Sequence, residues 1–193
     1  MMRRLLLTAA LLCGAVQAAP DNGLKGGQFT PARVAPEIAQ KAADGSDFRL
    51  SALRGKVVVM AFGFTHCPAV CPVTLQTLAD ARKQLGKDAG QLQVVFVSVD
   101  PERDTAARMH AYVRQFDSAF VGLTGTPQQM ADVRKDYGIT ATKQAMAGSK
   151  TDYLIGHSSY LYFIDKQGKL RSMLPFGRPA GDVAHDAALL ARE

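Results

Sequence analysis

Apolar residues along the chain follow two rhythms in turn. Lys56 to Phe64 (KVVVMAFGF) is an unbroken β-branched and aromatic run, and Leu92 to Val99 (LQVVFVSV) repeats it. Runs this short, apolar on both sides, predict strands buried on both faces of a sheet. Between them Leu75, Leu78 and Leu85 recur at helical spacing and Gly86 follows, which predicts a helix over 74–85. Thr105 to Phe116 predicts a second helix with Thr105 near its start, and Phe120 to Leu123 a short strand. Thr126-Pro127 opens a third helix that ends at Tyr137-Gly138. Asp47 to Leu50 alternates polar and apolar after the turn signal Asp44-Gly45. Ser159 to Ile164 and Leu170 to Leu174 flank Asp165-Lys166-Gln167-Gly168-Lys169, a hairpin signal, and Ala180 to Ala191 predicts a last helix. Strands and helices in alternation, then a late hairpin, predict α/β layers. In an open α/β sheet the site belongs at the carboxyl end of a strand.

The first residues follow a different logic. Met1-Met2-Arg3-Arg4 is a positive start, Leu5 to Val16 is apolar, and Val16-Gln17-Ala18 carries small residues where a signal peptidase reads them. This predicts a signal peptide over 1–18 and a periplasmic or secreted protein. The apolar run is shorter than the ~20 residues of a spanning helix. Left uncleaved, residues 5–19 would instead tether the chain to a membrane. Cys13 lies in this segment behind Leu12, which is too bulky for a lipoprotein box. Residues 19–36 are rich in Gly, Pro and Ala and read as a linker, leaving 37–193 as the folded domain.

Composition adds constraints. With 47% hydrophobic and 21% charged residues the chain can bury a full core. The formal net charge is +6, of which Arg3 and Arg4 carry two, leaving +4 after residue 18. The basic residues are scattered, with no stripe interleaved with aromatics, which argues against nucleic-acid binding. Such an excess serves solubility and favours acidic partner surfaces. Met60, Met109, Met130, Met146 and Met173 are spread through the elements and read as fillers, not as a metal-binding tract. Tyr137, Tyr153, Tyr160 and Tyr162 read as packing groups.

Beyond residue 18 two cysteines remain, Cys67 and Cys71, in the segment FGFTHCPAVCP over residues 62–72, where a buried strand gives way to a helix. A thiol at a helix N-terminus meets free N–H groups and the positive dipole end, so its pKa is expected to fall. If residues 68–71 form the first turn, the spacing of four puts both sulfurs on one helix face. The pair can close a disulfide or hold one soft metal ion. For a metal, a third ligand must come from elsewhere. His66 adjoins Cys67 and would project away from the thiols, whereas His110 and His185 lie in helices as surface candidates. His157 precedes an apolar strand and can reach a neighbouring loop, either as a ligand or as an ordinary surface histidine. Thiol–disulfide exchange needs no third ligand: Cys67 would attack and Cys71 resolve. A peroxidase of the peroxiredoxin kind would need an arginine beside Thr65 and the cysteine, and the motif shows none. An exported protein with two cysteines can also simply carry a structural disulfide.

Three segments in order, FGFTHCPAVCP (62–72), VSVDPERDT (97–105) and GHSSYLYFID (156–165), resemble the Sco/SenC family from about Gly27 to the C-terminus. The resemblance implies a thioredoxin-like fold with an N-terminal extension and a hairpin insertion. It implies copper, as Cu(I) or Cu(II), held by Cys67, Cys71 and His157. It further implies a metallochaperone for the copper centre of cytochrome c oxidase, acting as copper donor or as the reductant that readies the receiving cysteines. Its partners would be a copper-receiving oxidase subunit and an upstream copper donor. Asp100 in the second segment is then expected near the site, as a supporting or partner-facing group. Asp104 is read as a helix N-terminal group set against the dipole. One position departs from the family, which often has an acidic residue where Ala69 stands. Losing that charge should lower the thiol pKa slightly and weaken contact with a basic partner.

Overall fold

Val57–Gly63 (β4) is buried at every position, as an apolar run with no polar face requires. The computed structural model describes residues 23–146, 148 and 152–193, so the predicted signal peptide lies outside the described residues. On one side β4 pairs in parallel with Leu92–Ser98 (β5), from Val57 opposite Leu92 to Gly63 opposite Ser98. On the other it pairs antiparallel with Tyr160–Ile164 (β9). Lys169–Pro175 (β10) and Gly27–Val34 (β1) extend the sheet beyond β9, and Val121–Leu123 (β6) flanks β5. The order is β1-β10-β9-β4-β5-β6.

Val70–Leu85 (α1) crosses from β4 to β5 and packs against Ala180–Arg192 (α4). Ala106–Arg114 (α2) packs on β6, and Pro127–Asp136 (α3) follows that strand. Two small hairpins stand apart: Ala39–Lys41 (β2) with Asp47–Arg49 (β3), and Ala141–Ala145 (β7) with Tyr153–His157 (β8). This is the thioredoxin-like arrangement the resemblance implies, with β1 as the extension and β7–β8 as the inserted hairpin. No helix among the described residues is long and apolar enough to cross a membrane.

Two expectations are corrected here. Residues 27–34 are not linker but the outer strand β1, paired with β10 from Gly27 opposite Met173 to Val34 opposite Lys169. An edge strand tolerates the Gly and Pro that suggested a linker. Lys25 and Gly26, just before it, donate their amides to the buried Asp186 of α4 at 2.8 and 3.1 Å. Helix α1 begins at Val70 rather than Thr74. Pro72 falls in its first turn, where its missing N–H would have had no intrahelical partner.

The tyrosine and methionine readings hold in part. Tyr137 and Tyr162 stack edge to face at 6.0 Å, and Phe62 lies 5.6 and 5.8 Å from them. Met60, Met109 and Met130 are buried in the core, while Met146 is exposed.

Candidate metal centre

Strand β4 ends at Gly63, and after a loop of six residues α1 starts at Val70 with Ala69 as its N-cap, which supplies no side-chain hydrogen bond. A sulfur takes the place of the missing cap. The Cys71 amide, on the second helical residue, donates to Cys67 Sγ at 3.4 Å. The Cys67 amide donates in turn to Phe64 O at 3.2 Å, which folds the loop back on itself. The sulfurs therefore do not share one helix face. Cys71 rides on α1, and Cys67 sits in the loop before it.

Both thiols are free, Cys71 buried and Cys67 half-buried. Their protons divide unequally. The Cys71 thiol donates to Cys67 Sγ, and the amides of Cys71, Ala69 and Val70 add to it, so the Cys67 pKa drops to about 5. That same hydrogen bond, with burial, pushes Cys71 far up. At neutral pH Cys67 is a thiolate at a helix N-terminus and Cys71 a thiol beneath it. Gly63 makes room for the pair. A Cβ there would lie 2.7 Å from Cys71 Sγ and 2.6 Å from Phe96 Cζ.

Asp104 grips the loop from below. Its buried carboxylate accepts from Thr65 Oγ1 (2.6 Å), the Thr65 amide (3.1 Å) and Ser98 Oγ (2.6 Å). It is therefore not the cap of α2. Thr105 caps that helix, accepting from the Arg108 amide. Burial raises the Asp104 pKa, opposed by its hydrogen bonds from Ser98 and Thr65. His66 turns Nδ1 to Thr65 Oγ1 at 3.3 Å, on the Asp104 side. His185 pairs with Asp186 at 3.0 Å on α4, and His110 lies on α2.

His157 ends β8, and its ring meets Phe64 edge to face at 6.0 Å between centroids. Phe64 thus touches both histidine and cysteine: its ring meets His157 and its carbonyl holds the Cys67 amide. His157 Nδ1 lies 2.9 Å from Ser158 O. A carbonyl only accepts, so Nδ1 carries the proton and the Nε2 lone pair is left for a ligand. The ring lines an open cleft with Thr140, Ser159, Tyr160 and Phe176. As they stand, no three Cys, His, Asp or Glu groups among the described residues form a metal-holding cluster. The fold thus joins Cys67 to Cys71 and sets His157 edge to face against the Phe64 ring.

Asp100 is buried and so does not face a partner. It accepts from Tyr153 OH at 2.8 Å and Arg103 Nε at 2.5 Å. Neither this network nor the Asp104 clasp was read from the sequence. The VDPERD segment stood out, but its acceptors find donors 39 and 53 residues away.

A SCO1/SenC family profile matches residues 31–192. A SCO2-like protein of Rickettsia conorii is 32% identical over 158 residues, 82% of this chain and 73% of that protein. The mitochondrial SCO2 homolog of Bos taurus is 36% identical, covering 93% of this chain and 72% of its own length. Among solved structures, copper-bound ScoI of Bradyrhizobium japonicum superposes with a TM-score of 0.74 at 32% identity, over 81% of this chain and 99% of that one. Apo Sco1 of Thermus thermophilus gives 0.75 at 31% identity, over 93% and 100%. With the match running from within β1 to the end of α4, through both cysteines and the histidine hairpin, the chain belongs to the SCO1/SenC family.

Proposed function

We propose that this protein carries copper to the copper centre of a cytochrome c oxidase, holding Cu(I) through Cys67, Cys71 and His157. The observation that carries the reading is the polarised sulfur pair, with one thiolate already formed at neutral pH and an imidazole whose Nε2 is free one aromatic ring away. Two soft sulfurs and an imidazole suit copper in both oxidation states. Copper-bound ScoI of B. japonicum, 32% identical, supports the choice of metal. Copper is here the cargo. The chain's own part is to keep Cys67 ionised, to release the Cys71 proton as the metal arrives, and to swing the His157 ring past Phe64. The work belongs, on this reading, outside the cytoplasm, as the expected signal peptide over 1–18 implies, where an oxidase subunit would receive the ion and an upstream donor would supply it.

Copper titration of the reduced protein, with X-ray absorption to count sulfur and nitrogen ligands, tests this reading. His157→Ala should bind more weakly and lose the nitrogen contribution. Equal affinity and an unchanged spectrum in that variant would remove His157 from the site.

The same polarised pair favours a second reading, reduction of the receiving protein's disulfide. The Cys67 thiolate attacks one partner sulfur and displaces a partner thiolate. Cys71, on losing its proton, then attacks Cys67 Sγ and releases the second. The partner gains two electrons, and the pair ends as a disulfide. A half-buried low-pKa cysteine over a fully buried protonated one suits this order. His157→Ala would leave this activity intact, which separates the two readings.

A further inference from the structure

One face of β8 makes three contacts with the body of the protein. Side chains two apart on a strand share a face, so Tyr153, Ile155 and His157 point the same way. Tyr153 reaches Asp100, Ile155 is buried, and His157 meets Phe64. The β7–β8 hairpin has no ladder to the main sheet, so side chains of this kind decide where it sits.

The strongest of these ties is at Tyr153. Its hydroxyl donates to the buried Asp100 at 2.8 Å, and its carbonyl accepts from Arg103 Nη1 at 3.0 Å. The Arg103 guanidinium lies 3.6 Å over the Tyr153 ring and 5.9 Å from the Phe64 ring. Its Nε is held by Asp100. One residue further on, Asp104 holds Thr65, two positions before Cys67. A single stretch between β5 and α2 thus grips both halves of the candidate site: the cysteine loop through Asp104 and the histidine hairpin through Asp100 and Arg103.

We propose that Tyr153, locked to Asp100 and Arg103, is the positioning residue that fixes the register and reach of His157 relative to the cysteine pair. A strand rises ~3.3 Å per residue, so the anchor sits about 13 Å up the strand from the imidazole. A slip of one residue at Tyr153 would turn His157 to the opposite face of β8. Tyr153→Phe keeps the ring under Arg103 and removes only the hydroxyl, leaving the buried Asp100 carboxylate one donor short. Tyr153→Leu removes the stacked ring as well.

The proposal rests on the reading that His157 joins the cysteines around copper, so its test has an arm that needs no metal. In the apo protein, NMR contacts between the His157 and Phe64 rings report ring placement directly. In Tyr153→Phe they should weaken, and in Tyr153→Leu vanish, while the pH profile of Cys67 alkylation stays at its wild-type midpoint. With copper added, Tyr153→Phe should bind roughly 10- to 100-fold more weakly, the usual loss when a group behind a ligand is removed, and its Cu(II) electron paramagnetic resonance spectrum should shift. Tyr153→Phe and Tyr153→Leu that keep the ring contacts and the copper spectrum would overturn the proposal, as would a loss of the Cys67 profile in step with the ring contacts. Should wild type and His157→Ala bind copper alike, the metal reading fails by itself, and the apo contacts still decide whether Tyr153 places the ring.

Discussion

The amide of Cys71 points at the sulfur of Cys67 from 3.4 Å, and this contact caps a helix that has no capping side chain of its own. A thiolate fits there because the free N–H groups and the dipole of α1 both favour negative charge. The Cys71 thiol adds the largest share by donating to the same sulfur.

Alkylation by iodoacetamide measures the result. The rate for the reduced protein should rise with pH around a midpoint of about 5 and come from Cys67 alone. In Cys71→Ala the amide remains and the thiol donor is lost, so the midpoint should climb toward the ordinary thiol range. Cys71→Ser keeps an O–H donor and should climb less. A midpoint that ignores both substitutions would mean Cys71 does not polarise its neighbour.

Gly63→Ala should disturb the site from behind. The added carbon would sit 2.7 Å from Cys71 Sγ and 2.6 Å from the buried Phe96 ring, so one of them must move. Overpacking of this kind destabilises by about 1–3 kcal/mol. Since the Cys71 sulfur is among the atoms displaced, the Cys67 midpoint should rise together with the fall in urea stability. Lower stability with an unchanged midpoint would place the adjustment on Phe96 alone.

What could be read in the sequence follows what local physics encodes. Strand β4 is an unbroken apolar run buried on both faces, and β5 breaks the pattern only at the half-buried Gln93 and the terminal Ser98, too little to suggest a polar face. Helix α3 carries a capping box from Thr126 to Gln129 behind Pro127, and its start was legible to the residue. Strands β7 and β8 were not: β7 exposes four of its five residues and has no period-2 pattern. Asp104 and Thr105 are both good N-cap residues, and it takes Ser98 and the distant Thr65, both donating to Asp104, to turn it inward. The cysteine pair declares itself by its spacing at a strand–helix junction. His157 stands 86 residues beyond Cys71, and without the family resemblance nothing local separates it from a surface histidine.

The approach to the edge strand β1 is held by a buried carboxylate, in addition to the strand's pairing with β10. Asp186 accepts the amides of Lys25 and Gly26, and a Cβ at Gly26 would lie 2.7 Å from Met173 O, so the chain passes close to β10 there. Asp186→Ala should cost about 1–3 kcal/mol for the amides left without an acceptor. Hydrogen exchange should then quicken over residues 25–34 while β4 and β5 stay protected. Uniform quickening would show instead that β1 unfolds only with the whole domain.

The two thiols should also write opposite slopes into the pH dependence of stability. Cys67 has its folded pKa depressed from 9.0 to about 5. Between those values the unfolded chain binds a proton that the folded protein lacks, so stability rises with pH across that window, and it is lost as pH falls toward 5. Cys71 has its folded pKa raised far above 9.0. Above pH 9 the unfolded thiol loses a proton that the folded one keeps, so stability falls as pH climbs further. Asp104 and the buried tyrosines titrate in wild type and variant alike and largely cancel when the two are compared. Urea denaturation of the reduced protein between pH 5 and 10 should therefore show wild type gaining on Cys67→Ser from pH 5 to 9. The gain stops near pH 9, where the unfolded Cys67 thiol loses its proton as well. Above that the wild type gives ground, because only in wild type does the Cys67 hydrogen bond help hold the Cys71 proton. A difference that stays flat from pH 5 to 9 would mean that Cys67 enters the folded state as an ordinary thiol, and both proposed chemistries would lose their thiolate.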